Sequence, residues 1–155
     1  MYSVWLSGEE QRVWRDYLKM VSGLQAAMHR QLQRDCGLSL SDYDVLVVLS
    51  ERGPLRMYQL GQELAWEQSR LSHQLRRMRE RGLVLRHGSG DDRRGATVEL
   101  TSEGRAALAL AAPGHAALVH DVVFDGMEPG DLRAFGSLID TVLDRLAGHS
   151  EPKGP

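Results

Sequence analysis

The stretch from Trp66 to Thr101 constrains this chain more than any other. It holds an arginine-studded helical segment, a Gly-Leu-Val exit, and two strand-prone runs joined by a charged loop. Leu71, Leu75 and Met78 recur at i, i+4 and i+7, with Gly82 on the same line. That spacing predicts a helix of about four turns with one narrow apolar stripe. At about 100° per residue, Ser69, Ser72, His73, Arg76 and Arg77 fall on the far side. Short hydrogen-bonding groups cluster near the start of this face, and guanidinium groups follow. Such a face suits a groove lined with base edges and flanked by phosphates.

Leu83 to His87 and Ala96 to Leu100 read as short strands, with Val84, Val98 and Leu100 as apolar anchors. The loop between them, Gly88 to Gly95, has a glycine at each end and four consecutive charges inside. It reads either as a plain solvated hairpin loop or as a wing whose Arg93 and Arg94 reach the backbone or minor groove of DNA. Asp91 and Asp92 would repel phosphates, so they need a role of their own. Asp92 can accept a hydrogen bond from Arg94, two residues on, and aim that side chain.

The charge distribution points the same way. Trp66 to Arg94 holds eight arginines against four acids, a segment of +4 in a chain of −2. The remainder is therefore −6, and an acidic protein with one basic strip docks in one orientation rather than coating polyanions.

SRLSHQLRRMRERGLV followed by DDRRGATVELTSEGR resembles the recognition helix and wing of the MarR family of winged helix-turn-helix regulators. The D-x-R-G turn of that family matches Asp92, Arg94 and Gly95, and its L-T exit matches Leu100 and Thr101. The resemblance extends over nearly the whole chain. It implies a mainly α fold, a winged helix-turn-helix with a two-stranded β-wing, and N- and C-terminal helices forming a dimerisation region. On that plan residues 1–147 form a single domain, with a winged-helix lobe at 38–101 and dimerisation helices at 1–37 and 102–147. Residues 148–155 are expected to be a disordered tail. The implied partners are double-stranded DNA carrying a pseudo-palindromic operator and a second copy of the chain.

Length and composition are compatible with this plan. At 155 residues the chain can bury a real core, and 42% hydrophobic with 26% charged residues is ordinary for a globular protein. The longest apolar run, Ala106 to Ala112, is seven residues and falls short of a membrane span. No basic start followed by an apolar stretch marks a secretory signal. One cysteine cannot form an internal disulfide, so a cytoplasmic setting is expected.

The rest reads as helices. Ser7 with Glu10 forms a capping box for a long first helix carrying Val13, Tyr17, Val21, Leu24, Met28 and Leu32 towards Gly37. Ser41 with Asp44 is expected to open a second helix that closes at Gly53-Pro54. Met57, Leu60 and Leu64 give a short third helix lying across the arginine-rich one. The latter lacks a good N-cap, since Trp66-Glu67 precedes it. Thr101 caps a fifth helix running towards Phe124, in which Pro113-Gly114 predicts a kink or break. A last helix from Pro129-Gly130-Asp131 carries Leu132, Phe135, Ile139, Val142 and Leu146 as an a/d seam, suited either to its own subunit or to a two-fold interface.

Candidate DNA contacts are therefore Gln68, Ser69, Arg70, Ser72 and His73 at base edges or nearby phosphates, and Arg76 and Arg77 at phosphates. Arg93 and Arg94 would serve the wing, with Asp92 orienting Arg94. The resemblance also implies a small aromatic or anionic effector. Trp14, Tyr17, Met28, His29 and Tyr43 offer aromatic walls and polar handles for one, and equally serve as ordinary helical core. His115 and His120, five apart, lie off a common helix face and make a poor metal pair even with Asp121 nearby. Cys36 is a candidate redox sensor, although its neighbour Asp35 is a poor setting for a thiolate. No nucleophile elbow, phosphate loop or paired-carboxylate motif suggests an enzyme or a cofactor. Two rival readings are a Cys36-based redox-sensing regulator and a winged-helix protein interaction module that does not bind DNA.

Overall fold

The computed structural model describes residues 5–88 and 96–150. The wing-tip residues Asp92, Arg93, Arg94 and Gly95 lie outside the described residues, as does the tail from Glu151 onward. The described chain runs α1 (Gly8–Cys36), α2 (Leu40–Arg52), β1 (Leu55–Arg56), α3 (Met57–Leu64), α4 (Gln68–Glu80), β2 (Val84–His87), β3 (Thr97–Leu100), α5 (Ser102–Val119), a π-helical turn (His120–Phe124) and α6 (Pro129–Ser150). It divides into two compact units, Met1–Ala116 and Ala117–Pro155.

In the first unit, local chemistry sets most helix ends. The Ser7 hydroxyl accepts from the Glu10 amide at 3.2 Å while the Glu10 carboxylate accepts from the Ser7 amide at 2.7 Å, the reciprocal box expected. That pairing holds the Glu10 carboxyl below its ordinary value. Helix α2 begins earlier than Ser41-Asp44 predicts. Ser39 is its N-cap, and the Asp42 carboxylate returns the bond to the Ser39 amide at 2.9 Å. Both pairs have the same spacing, and the earlier one wins because Asp42 is also needed by α4.

The core gathers Leu32 of α1, Leu38, Val45, Leu46 and Leu49 around α2, Leu60 of α3, Leu71, Leu75 and Met78 of α4, and Val84, Val98 and Leu100 of the sheet. The sheet has three antiparallel strands in the order β1-β3-β2, with Leu55 opposite Val98 and Val84 opposite Leu100. The third strand, β1, is the departure from the expected two-stranded ribbon.

Helix α4 ends in a Schellman motif. The Leu83 amide bonds the Met78 carbonyl at 3.0 Å and the Gly82 amide bonds Arg79 at 2.9 Å, with Gly82 at φ 75° and both Leu83 and Met78 buried. Thr101 then ties the far end of the ribbon to this exit. Its hydroxyl donates to the Gly82 carbonyl at 2.6 Å and accepts from the Gly104 amide at 2.9 Å, capping α5. Helix α5 passes so close that a Cβ on Gly104 would lie 2.1 Å from the Leu83 carbonyl oxygen.

No break occurs at Pro113-Gly114; α5 runs on through Pro113 to Val119. Gly114 lets it approach α1, where a Cβ would sit 2.7 Å from Gln31 Nε2 and 2.8 Å from Asp35 Oδ2. Beside it, the His115 ring meets the Tyr43 ring of α2 with centroids 4.4 Å apart. The stretch Ser102–Phe124 is long and apolar enough to cross a membrane by length and composition, at mean hydropathy 1.4. No single apolar run reveals this; leucines, valines and alanines spread along the stretch produce it.

The second unit holds the π-helical turn, where the Asp125 amide reaches the His120 carbonyl at 2.8 Å, and α6. Among its described residues none is buried, and Leu132, Ile139, Val142 and Leu146 of the expected seam are all exposed.

Gly104→Ala should destabilise the protein by about 1–3 kcal/mol, because the obstructing atom is backbone and cannot swing aside. Thermal unfolding followed by circular dichroism checks this. A second expectation concerns His115, whose imidazole burial pushes below its ordinary value of 6.5. The unfolded chain binds that proton more readily, so stability should fall as pH drops below about 6.5 and level off beneath the folded value. Melting temperatures taken from about pH 7.5 to about pH 5.5 should show the decline, and His115→Phe should flatten it.

Candidate nucleic-acid interface

Helix α4 sorts its residues sharply by face. Leu71, Gln74, Leu75 and Met78 are buried, while Gln68, Ser69, Arg70, Ser72, His73, Arg76 and Arg77 are all exposed. Its N-cap, Glu67, makes no side-chain capping bond, so only the apolar edge and the neighbouring elements hold its start. Gln68 is not fully at liberty: its amide donates to the Met57 carbonyl of α3 at 3.5 Å. Arg70 lies over the Trp66 ring with its guanidinium carbon 4.0 Å from the centroid. Arg76 makes an exposed pair with Glu80 at 3.5 Å, one turn on. At such exposure the pair is easily exchanged for a phosphate.

The anchor of this helix is a buried anion. Asp42 of α2, only 3% exposed, accepts from Gln74 Nε2 and from Arg81 Nη1, each at 2.6 Å. Arg81 also donates to the Gly37 carbonyl at the end of α1, at 3.0 Å. So Arg81, one of the eight arginines in the basic strip, serves the fold. Gln74 is likewise an inward residue on a helix where hydropathy alone would turn it outward. The helical wheel sets Gln74 on the line of Leu71 and Met78, but the anion that both residues serve lies more than thirty residues away and leaves no local signal.

Two further arginines belong to the same surface. Arg79 of α4 and Arg86 of β2 line a shallow hollow with Ser72, Met57, Leu75, Val84 and Val98. On a helical wheel Arg79 falls beside Ser72, and that offset was the available signal. At the root of the ribbon, His87 and Glu99 meet across β2 and β3 at 2.6 Å. Behind α4, burial pushes the Asp44 carboxyl of α2 above its ordinary value, and the Arg70 guanidinium works against that.

The five candidate effector residues do not converge in one chain. Trp14 and Tyr17 stack on each other with centroids 5.3 Å apart, each about half exposed. Met28 lies roughly 21 Å further along α1 at a rise of about 1.5 Å per residue. His29 Nδ1 accepts from the Leu40 amide at 3.3 Å, and Tyr43 is buried against His115. Cys36 is partly buried against the core, with its thiol donating to the Leu32 carbonyl at 3.2 Å. Among the described residues no cluster of three or more histidine, cysteine or acidic side chains could hold a metal ion.

A family model described as the MarR family matches residues 37–95. The chain is 38% identical to Sco3205, a MarR family transcriptional regulator from Streptomyces coelicolor solved in complex with DNA, covering 96% of each chain at a TM-score of 0.84. It is a member of the MarR family. AbsC, another MarR family transcriptional regulator from Streptomyces coelicolor, is 34% identical over 94% of this chain and 99% of its own, also with a TM-score of 0.84. The HTH-type transcriptional regulator YfiV of Bacillus subtilis (strain 168) is 26% identical over 100 residues, 64% of this chain and 62% of that relative. This MarR family chain is accordingly a transcriptional regulator, and its relatives are regulators rather than enzymes.

Asp42→Ala would strand the Gln74 amide, the Arg81 guanidinium and the Ser39 amide together. A loss of about 2–4 kcal/mol is expected, read as a lower urea midpoint with an unchanged slope.

Proposed function

We propose that the protein binds double-stranded DNA in a sequence-specific way as a homodimer on a pseudo-palindromic operator, and represses transcription from it in the cytoplasm. The observation that carries this reading is the division of α4 into a buried edge pinned by Asp42 and an exposed face of serine, histidine and arginine. A helix held so firmly by one side presents the other as a fixed pattern of donors. Gln68, Ser69, Arg70, Ser72 and His73 are the proposed base-edge and nearby phosphate contacts, with Arg76 and Arg77 on phosphates. Arg93 and Arg94, the latter aimed by Asp92, are proposed to enter the minor groove. Residues 38–101 form the proposed DNA-binding lobe.

Dimerisation is supported by apolar surface. Leu6 just before α1, and Val13, Trp14, Tyr17, Leu18 and Met20 in its N-terminal half, are each close to half exposed or more. Helix α6 separately leaves Leu132, Leu138, Ile139, Val142, Leu143 and Leu146 in solvent. Monomers seldom leave so much contiguous apolar area open, and a second copy covers it. Two copies also supply two recognition helices for half-sites about one helical turn apart or a multiple of that. A small aromatic or anionic effector is the proposed ligand, with the Trp14–Tyr17 stack and the Tyr43–His115 pair as aromatic faces. It would act by favouring a separation of the two lobes that no longer matches adjacent grooves.

Fluorescence anisotropy with fragments selected from the source genome, together with sedimentation equilibrium, tests the proposal. Arg76→Ala should weaken all duplexes alike and reduce the salt slope by about one unit. Arg94→Ala should lower affinity substantially. A monomer indifferent to duplex DNA at low salt overturns the reading.

A further inference from the structure

We infer that Trp66 is a positioning residue for DNA reading: its ring holds the Arg70 guanidinium in the plane that lets Arg70 specify a base pair. This rests on the DNA-reading role proposed above. With Glu67 as N-cap, Arg70 stands in the first turn of α4, where the helix dipole disfavours a cation. A cation kept against that local preference needs a compensating partner. Trp66 is that partner, since the guanidinium carbon lies 4.0 Å from its ring centroid.

The ring is itself well anchored. Trp66 packs partly buried against the core, and its amide bonds the Gly61 carbonyl of α3 at 3.0 Å. It stands one residue before the N-cap and Leu71, fully buried, stands four residues into the helix. Those are the two positions of a hydrophobic staple, which fixes how the chain enters a helix. On another side the half-buried Asp44 of α2 acts electrostatically on Arg70. Stacking occupies the face of the guanidinium and leaves its N–H donors free around the edge. Among the described residues none accepts a hydrogen bond from that edge. An edge so presented matches the paired acceptors of guanine in the major groove. A simple surface lysine in this position would bring charge without that geometry.

The test is selection from a pool of random-sequence duplexes by the full-length chain and its variants, with melting temperatures taken alongside. Arg70→Ala should abolish the preference at one base pair per half-site. Trp66→Leu should weaken the preference at that same pair by about two- to five-fold, and Trp66→Phe by less. Trp66→Leu keeps every charge, so its salt slope should equal that of the native chain, whereas Arg70→Ala should flatten it by up to about one unit. A loss of preference spread over all positions would mark a merely structural role and overturn the inference. So would a folded Trp66→Leu that selects the native motif unchanged. Should Trp66→Leu fail to fold, Trp66→Phe carries the test, because its smaller ring must still lose part of that one preference. A native chain that enriches no sequence overturns the DNA-reading role itself, and this assignment with it.

Discussion

One carboxylate decides where α4 points. Asp42 completes the capping box of α2, accepts from the Gln74 amide of α4 and from the Arg81 guanidinium at its C-cap, and through Arg81 is linked to the Gly37 carbonyl at the end of α1. An unpartnered anion at that depth would be prohibitive, so these donors are obligatory company for it. Leu71, Leu75 and Met78 bring α4 against the core, but an apolar stripe tolerates sliding and rotation. The paired bonds to Asp42 do not. Hydrophobic burial thus supplies adhesion, and the buried ion supplies registry.

That registry explains the polarity of the surface. Because Gln74 is drawn inward and Arg81 is tied to Asp42, the outward face is left to Ser69, Ser72, His73, Arg76 and Arg77, flanked by Arg70 on one edge and Arg79 on the other. Arginines of similar appearance in the sequence therefore do different things. Arg81 is a strut, Arg76 is loosely engaged with Glu80, and Arg70 lies over an aromatic ring.

Features that depend on neighbours within a few residues were legible in the chain. The Ser7–Glu10 box, the Gly37 and Gly82 helix ends, the apolar edge of α4 and the Thr101 cap all follow from spacing and residue type. Features that depend on distant partners were not. Ser39–Asp42 and Ser41–Asp44 present equal local signals, and only the contact with α4 separates them. Strand β1 is two residues long, too short for any alternation, and exists because β3 offers it an edge. Pro113 signals a break locally, yet the helix passes through it. Within the site, the outward residues were readable from the wheel. Trp66 stacking on Arg70 leaves no periodic trace, and Gln74 shares the line of Leu71 and Met78 while its residue type alone would turn it outward.

The junction at Thr101 has a mechanical implication. A single hydroxyl clasps the end of α4 on one side and the start of α5 on the other, and Gly104 removes the clearance that would let them slip. The joint therefore has no slack: a tilt imposed on the first turns of α5 must be handed directly to the exit of α4. A change of angle at the start of α5 would therefore re-aim α4 as one stiff piece and leave its exposed face undeformed.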